Sequence, residues 1–364
     1  MQGDLLESIS ASDVSGALAV FDESIARGAD PWQIHLSLFP VVQRVLNPPF
    51  INPHLPKMYR IICELAPGID KTYWPALVRL ETNEYARRPK LPKTGARKIP
   101  AVNIEFGDIE KSLAGSDTNE TAGLMSAFLS GEGPEEFCRR MLLLGSGYLD
   151  KSLGHSISCT AFILFECVER KDQDPWPALA MLADYFHKGR FHSVPALRPK
   201  PIPVEAMRHH LLRAASGGGI VNLHHTITIY AIDRARHLFG IEEQNHLVRS
   251  WIDFLGEKEA KPVSTEREGK TSADYSTFFE TFSRLVPGEA LSALPGPRSK
   301  TDRATIANYL IRGVCDLYQG DYNPHHLTGL AALLWVLDSF PDRHDLAITA
   351  LHQYLDYFCS DLKS

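Results

Sequence analysis

Apolar residues recur along this chain at intervals of three and four. Met58, Ile61, Ile62 and Leu65 mark one stripe, and Ile157, Ala161, Leu164 and Cys167 mark another. That spacing is the period of a helix with one buried face, not the alternation of a strand. One stretch, GIVNLHHTITIYAI from Gly219, does alternate in a β-like way. Its place in the internal repeat described next predicts a helix there as well.

The stripes come in matching order. Five landmark pairs, Ser12/Ser116, Pro31/Pro134, His54/His155, Glu64/Glu166 and Trp74/Trp176, are separated by nearly one offset, between 101 and 104 residues. A constant offset is the mark of internal duplication. Each copy reads as four helices. A Ser-Asp cap starts the first and a first-turn proline the second, where a missing N–H costs nothing. The third opens at the histidine and the fourth at Trp-Pro-Ala-Leu. A diverged third copy runs from Pro203, with 21 residues from Pro203 to His224 as from Pro134 to His155, and a fourth holds TIANYLIRGVCDLY, NPHHLTGLAALLWVLD and DRHDLAITALHQYLDYF. The predicted fold is all-α: repeated helical hairpins closed into a compact or toroidal body. Its two halves are residues 1–195 and 196–364, with the break in HSVPALRPKPI near residues 192–202.

Proline, glycine and charge mark the connections, RRPKLPKTGARKIPAVNIEFGD from Arg87, GEKEAKPVSTEREGKTSADYS from Gly256 and SALPGPRSKTD from Ser292. The basic residues of the first carry no interleaved aromatics, so it reads as a solvated linker and not as a phosphate-binding strip. A net charge of -6 and a pI near 6.2 likewise give no electrostatic reason to expect nucleic acid. The opening MQGDLLESISASD has no apolar core of a secretory signal, and GLAALLWVL from Gly329 is about half of a bilayer span, so a cytoplasmic protein without membrane contact is expected. Six cysteines without CxxC spacing read as reduced thiols.

The chemistry, if any, lies in the 15 histidines. Three copies write Asn-x-His at the start of the third helix: Asn52/His54, Asn222/His224 and Asn323/His325. Asparagine is a strong N-cap and Pro53 and Pro324 suit N1, which puts each histidine at N2. The second copy departs, with Leu153-Gly154-His155. The positive end of a helix disfavours imidazolium, and a neutral imidazole is what a transition metal binds. His54, His155, His224 and His325 are therefore the candidate catalytic residues and metal ligands, with His225 and His326 as further ligands. Tyr59 and Tyr230, with Trp335, are candidate walls of the cofactor or substrate cavity. Alternatively the same histidines only fix how hairpins close. His35, Cys138 and Met207, aligned on the second helix, read as core residues, and Glu64, Glu166 and Glu169 as an exposed or salt-bridged face. His237, His246, His344 and His352 read as exposed. HExxH, GxSxG and Walker lysine patterns are lacking.

The phrases LGHSISCTAFILFECVE and NLHHTITIYAIDRARHL resemble the His-headed helices of the questin oxidase-like family. The resemblance implies an all-helical fold and oxidative tailoring of an organic molecule. The leading expectation is thus an oxygenase-type oxidoreductase acting on a small organic substrate, holding iron or another transition metal on its histidines. Two alternatives stand beside it: a non-catalytic helical-repeat protein that binds a ligand or partner, and a metal-dependent hydrolase with Glu136 or Glu205 as base.

Overall fold

Aspartate carboxylates begin the early helices. Asp13 accepts the Gly16 N–H at 2.9 Å ahead of helix Val14–Ala26. Asp117 accepts the Asn119 and Glu120 N–H groups ahead of helix Thr118–Glu132. Asp30 caps helix Pro31–Ser37, and Pro134 opens helix Pro134–Gly145. Each such cap satisfies backbone donors that a helix start leaves without partners.

The computed structural model describes residues 2–95, 99, 104–115, 117–170, 173–263, 274–320 and 323–363. Ser116 and parts of two predicted linkers, residues 96–98, 100–103 and 264–273, lie outside the described residues. Among those described the fold is all-helical, without a β-strand; Val45–Lys90 and Asn47–Phe50 form isolated bridges only. No described helix is long and apolar enough to cross a membrane.

The helices predicted to open at histidine or at Trp-Pro are found: His54–Leu65, Trp74–Arg87, His155–Glu169, Trp176–Gly189 and His325–Ser339. The β-like stretch lies in helix Ile220–Arg234. The register differs from the expectation: His54 and His325 are the first residues of their helices and not the second, with Pro324 and not Asn323 as the cap, and helix Ile220–Arg234 departs furthest. The helix begins two residues before Asn222, whose amide donates to the Gly218 carbonyl at 2.5 Å, so Asn222 is an interior residue and not a cap. The turn is supplied by Gly217 and Gly219, both at positive φ, where glycine meets no Cβ penalty.

The chain divides into two units. The first comprises Met1–Arg60, Val78–Pro201 and Ala231–Trp251, and the second Ile61–Leu77, Ile202–Tyr230 and Ile252–Ser364. In the first, helix His155–Glu169 is buried on every side from His155 to Cys167, beyond the single face that the stripe predicts, with Ser156, Ser158, Thr160 and Glu166 buried among the apolar residues. It packs on helix Pro134–Gly145, and Trp176–Gly189 packs on Thr118–Glu132. In the second, helix His325–Ser339 lies against Lys300–Asp316 and His344–Lys363. Gln353 joins three segments there: it accepts from Thr226 Oγ1 at 2.8 Å and donates to the Ala214 and Gly217 carbonyls at 2.8 and 3.2 Å.

Gly145 allows the His155 helix its position. Ser156 Oγ donates to the Gly145 carbonyl at 2.7 Å, and a Cβ on Gly145 would lie 2.3 Å from the Ser156 carbonyl oxygen. Gly145→Ala must therefore push backbone from backbone, and a loss of about 1–3 kcal/mol is expected in urea denaturation. Gly131→Ala, on the Thr118–Glu132 helix with nothing within 4 Å, is the control and should be neutral or slightly stabilising. Equal stability of the two variants would show that the contact yields without cost.

Candidate functional site

The four aligned histidines are buried and form two pairs. In the first unit His54 Nε2 lies 2.7 Å from His155 Nε2, with ring centroids 4.6 Å apart and nearly perpendicular planes. In the second, His325 Nε2 lies 3.0 Å from His224 Nε2, with centroids 4.7 Å apart. Both pairs join residues 101 apart in the chain.

What sets these rings is the amide group on each Nδ1. His155 Nδ1 lies 2.6 Å from the Ser152 carbonyl, and His224 Nδ1 lies 2.7 Å from the Ile220 carbonyl. A carbonyl oxygen only accepts, so both Nδ1 atoms carry the proton and both Nε2 atoms are lone pairs in the neutral ring. His325 Nδ1 lies 2.7 Å from Asn323 Oδ1. That oxygen also accepts the His325 backbone N–H at 3.0 Å, while Asn323 Nδ2 donates to Asp361 Oδ1 at 2.9 Å, which fixes the amide's orientation. His54 is the exception: the Asn47 amide nitrogen faces its Nδ1 at 3.1 Å. His54 Nδ1 then accepts, and its Nε2–H donates to His155.

The pairs consequently differ. The first is one directed chain, Asn47 to His54 to His155 to the Ser152 carbonyl, satisfied by ordinary neutral tautomers. The second sets two unprotonated nitrogens face to face at 3.0 Å. Neutral imidazoles repel in that arrangement, and a cation between or against them, proton or metal, removes the repulsion.

Local sequence explains the placement. Leu153 and Gly154 both adopt left-handed conformations, turning the chain so that the Ser152 carbonyl meets the ring of His155. The Leu-Gly-His departure thus replaces the asparagine side-chain carbonyl with a main-chain one. Beyond the pairs, contacts advance together along both helices of each unit. Arg60 binds Glu166 at 3.2 Å and Glu169 at 2.7 Å, and Tyr230 lies 5.9 Å from Trp335. Glu166 is buried and also holds Arg170, in line with the salt-bridged face predicted for it.

The remaining sequence candidates fall elsewhere. His225 packs edge-on against Phe254, and burial pushes its pKa down to about 4. His326 pairs with Asp361 at 2.8 Å and contacts Phe358. Tyr59 stacks on His35, which bonds the buried Glu81 carboxylate at 2.7 Å; Tyr85 donates to the other oxygen of Glu81. Cys138 is core, as expected, and burial raises its thiol pKa, whereas Met207 is only half-buried. Glu136 is bound by Arg139 and Arg140, which hold it below the usual carboxylate range, and Glu205 is exposed beside Arg208.

His246 corrects an expectation. Its sequence position looked polar, but it is buried: Nδ1 accepts the Arg198 N–H at 3.1 Å and Nε2–H donates to Ser146 Oγ at 2.9 Å. His237 is exposed, and His344 and His352 are half-buried. Lys57, Asn47 and Asp361 escaped sequence reasoning. Lys57 alone left a signal, a charge four residues before Ile61 on an apolar stripe.

Burial, reinforced by Arg198, lowers the His246 pKa below the ordinary 6.5. Above that value the ring is neutral both folded and unfolded. Below it the unfolded chain binds the proton first, so stability falls as pH drops from 6.5 toward the folded pKa. Wild type should lose more stability between pH 7.5 and 5 than His246→Gln, whose amide oxygen can accept from Arg198. Parallel urea midpoints at the two pH values would contradict this.

No family model, no curated protein and no solved structure matches the chain, so the histidine pairs themselves must carry the functional reading.

Proposed function

We propose that this chain is a metal-dependent oxidoreductase of oxygenase type that acts on a small organic molecule, with the paired histidines as metal ligands. The observation that carries the reading is the pair His224/His325, whose two Nδ1–H groups are spent on oxygens and whose Nε2 lone pairs meet at 3.0 Å. Fixing Nδ1 on an amide or carboxylate is the usual way a ligating histidine is oriented and kept basic.

The spacing favours one type of ion. Two nitrogens on adjacent positions of a six-coordinate ion, each about 2.1 Å away, lie about 3.0 Å apart, whereas tetrahedral ligands lie about 3.4 Å apart. The 3.0 Å separation of the second pair fits the former. An all-imidazole set with adjacent ligands suits iron better than structural zinc, and such an ion with open positions activates oxygen or substrate. For His54 to join, the Asn47 amide turns over, moving the His54 proton from Nε2 to Nδ1. The equal spacing of the two pairs, 101 residues, supports the reading that the histidine-headed helices are copies of one duplicated hairpin. The resemblance to questin oxidase-like proteins points to the same chemistry.

A second reading, a helical-repeat binding protein in which the pairs are clasps, is favoured by the first unit, where one proton on each ring and the Asn47 amide satisfy the whole chain from Asn47 to Ser152. A zinc hydrolase would need a carboxylate base, and the candidates Glu136 and Glu205 are engaged with arginines.

Metal content of protein purified without affinity tag or chelator separates these readings. Iron at one or two ions per chain, lost in a His155→Ala/His224→Ala variant that keeps its helical circular dichroism, is the expected result. Zinc would favour the hydrolase. Protein that stays metal-free even after anaerobic incubation with ferrous iron would leave the clasp reading.

A further inference from the structure

Lys57 is fully buried in the first unit, and its Nζ makes no hydrogen bond among the described residues. It follows His54 by three residues on the same helix, and Cys159 follows His155 by four. Residues so spaced share a helix face. With His54 and His155 in contact, the next turn brings Lys57 and Cys159 into electrostatic contact. The Tyr185 hydroxyl lies beside Cys159 and Ser152, and the hydroxyls of Ser158 and Thr160, which flank Cys159 in sequence, are buried without hydrogen-bond partners among the described residues.

Burying an ammonium without a counter-charge costs several kcal/mol, so burial favours the neutral amine. Burial accordingly lowers the Lys57 pKa, and it raises that of Cys159 to about 11, leaving a thiol and not a thiolate. A lysine kept here for volume alone would be better replaced by methionine. Nor does the amine belong to the histidine pattern: three residues after His155, His224 and His325 stand Ser158, Ile227 and Thr328. A desolvated neutral amine among protic groups is the setting in which lysine serves as a nucleophile.

We propose that Lys57 is a nucleophilic amine that condenses with the carbonyl carbon of an aldehyde or ketone. The Nζ lone pair forms the new C–N bond, and the carbonyl oxygen takes up a proton to give a carbinolamine. That oxygen then leaves as water with the two protons that Nζ has lost, and an imine remains. The step consumes no oxidant or reductant. Cys159, protonated, is the neighbouring acid, with the Tyr185 hydroxyl beside it. The inference stands whether or not His54 and His155 hold a metal.

Reductive trapping tests it. The full-length protein is treated at pH 7 with limiting acetaldehyde and sodium cyanoborohydride, and ethylation is located by peptide mass spectrometry. Each unit by which a lysine pKa falls raises its neutral fraction at pH 7 about tenfold. Lys57 should therefore be ethylated faster than Lys111, whose side chain is 82% exposed. The fast adduct should be missing from Lys57→Met. Lys57 left unmodified while the exposed lysines saturate would overturn the proposal. The wild-type peptide map decides this even if Lys57→Met does not fold.

Discussion

A neutral imidazole has one proton for two nitrogens, and every feature of the histidine pairs follows from where that proton is held. Carbonyl oxygens at Ser152, Ile220 and Asn323 take the Nδ1–H of His155, His224 and His325. Each of those rings must then present a lone pair at Nε2 to whatever faces it. Two features of this backing, the Leu153-Gly154 turn and the two-residue earlier start of the Ile220 helix, set a main-chain carbonyl under a ring. The backbone departures from the Asn-x-His pattern thus conserve its chemistry.

The amide orientation at Asn47 and at Asn323 is what distinguishes the two units. Asn323 cannot turn over without cost, because its nitrogen donates to Asp361 and its oxygen accepts a backbone N–H. Burial pushes the Asp361 carboxyl up, but its hydrogen bonds from His326 and Asn323 outweigh that and hold it below the usual range. His326 therefore acts at one remove: with Asp361 it backs Asn323, which orients His325. Asn47 presents its nitrogen to His54, so the first pair is closed by a single hydrogen bond. On the proposed reading the second pair is preorganised for a cation, and the first is converted to the same state by one amide rotation.

The sequence spoke clearly where local rules decide. Asp13, Asp117 and Pro134 begin helices where capping chemistry says they should, and the apolar stripes at Met58 and Ile157 lie on helices headed by histidine. It was silent where tertiary contacts decide. Asn47 reaches His54 across a loop, and Ile220 backs His224 only because two glycines start the helix early. His246 occupies a polar-looking position between Asn245 and Leu247, yet Ser146 and Arg198, roughly 100 and 50 residues away in the chain, satisfy both its nitrogens and so allow its burial. Polar residues enter a core when partners wait there, and partners distant in sequence leave no local trace.

Lys57 is a case in which no such partner is supplied among the described residues. Glu166 and Arg60 show how the same pair of helices pays for buried charge elsewhere, with carboxylate and guanidinium in contact. Asn47, His54, His155 and Ser152 show it for neutral polar groups, each donor meeting an acceptor. Between these two satisfied layers the described residues place the Lys57 amine and the Ser158 and Thr160 hydroxyls without hydrogen-bond partners, and the Cys159 thiol beside the amine. Leaving such groups unsatisfied costs about 1–3 kcal/mol each, and a fold that satisfies the layers on either side has no structural need to bear that here. The cost at Lys57 is explained if the amine meets its partner in a bound molecule, and a carbonyl compound offers that amine an electrophile.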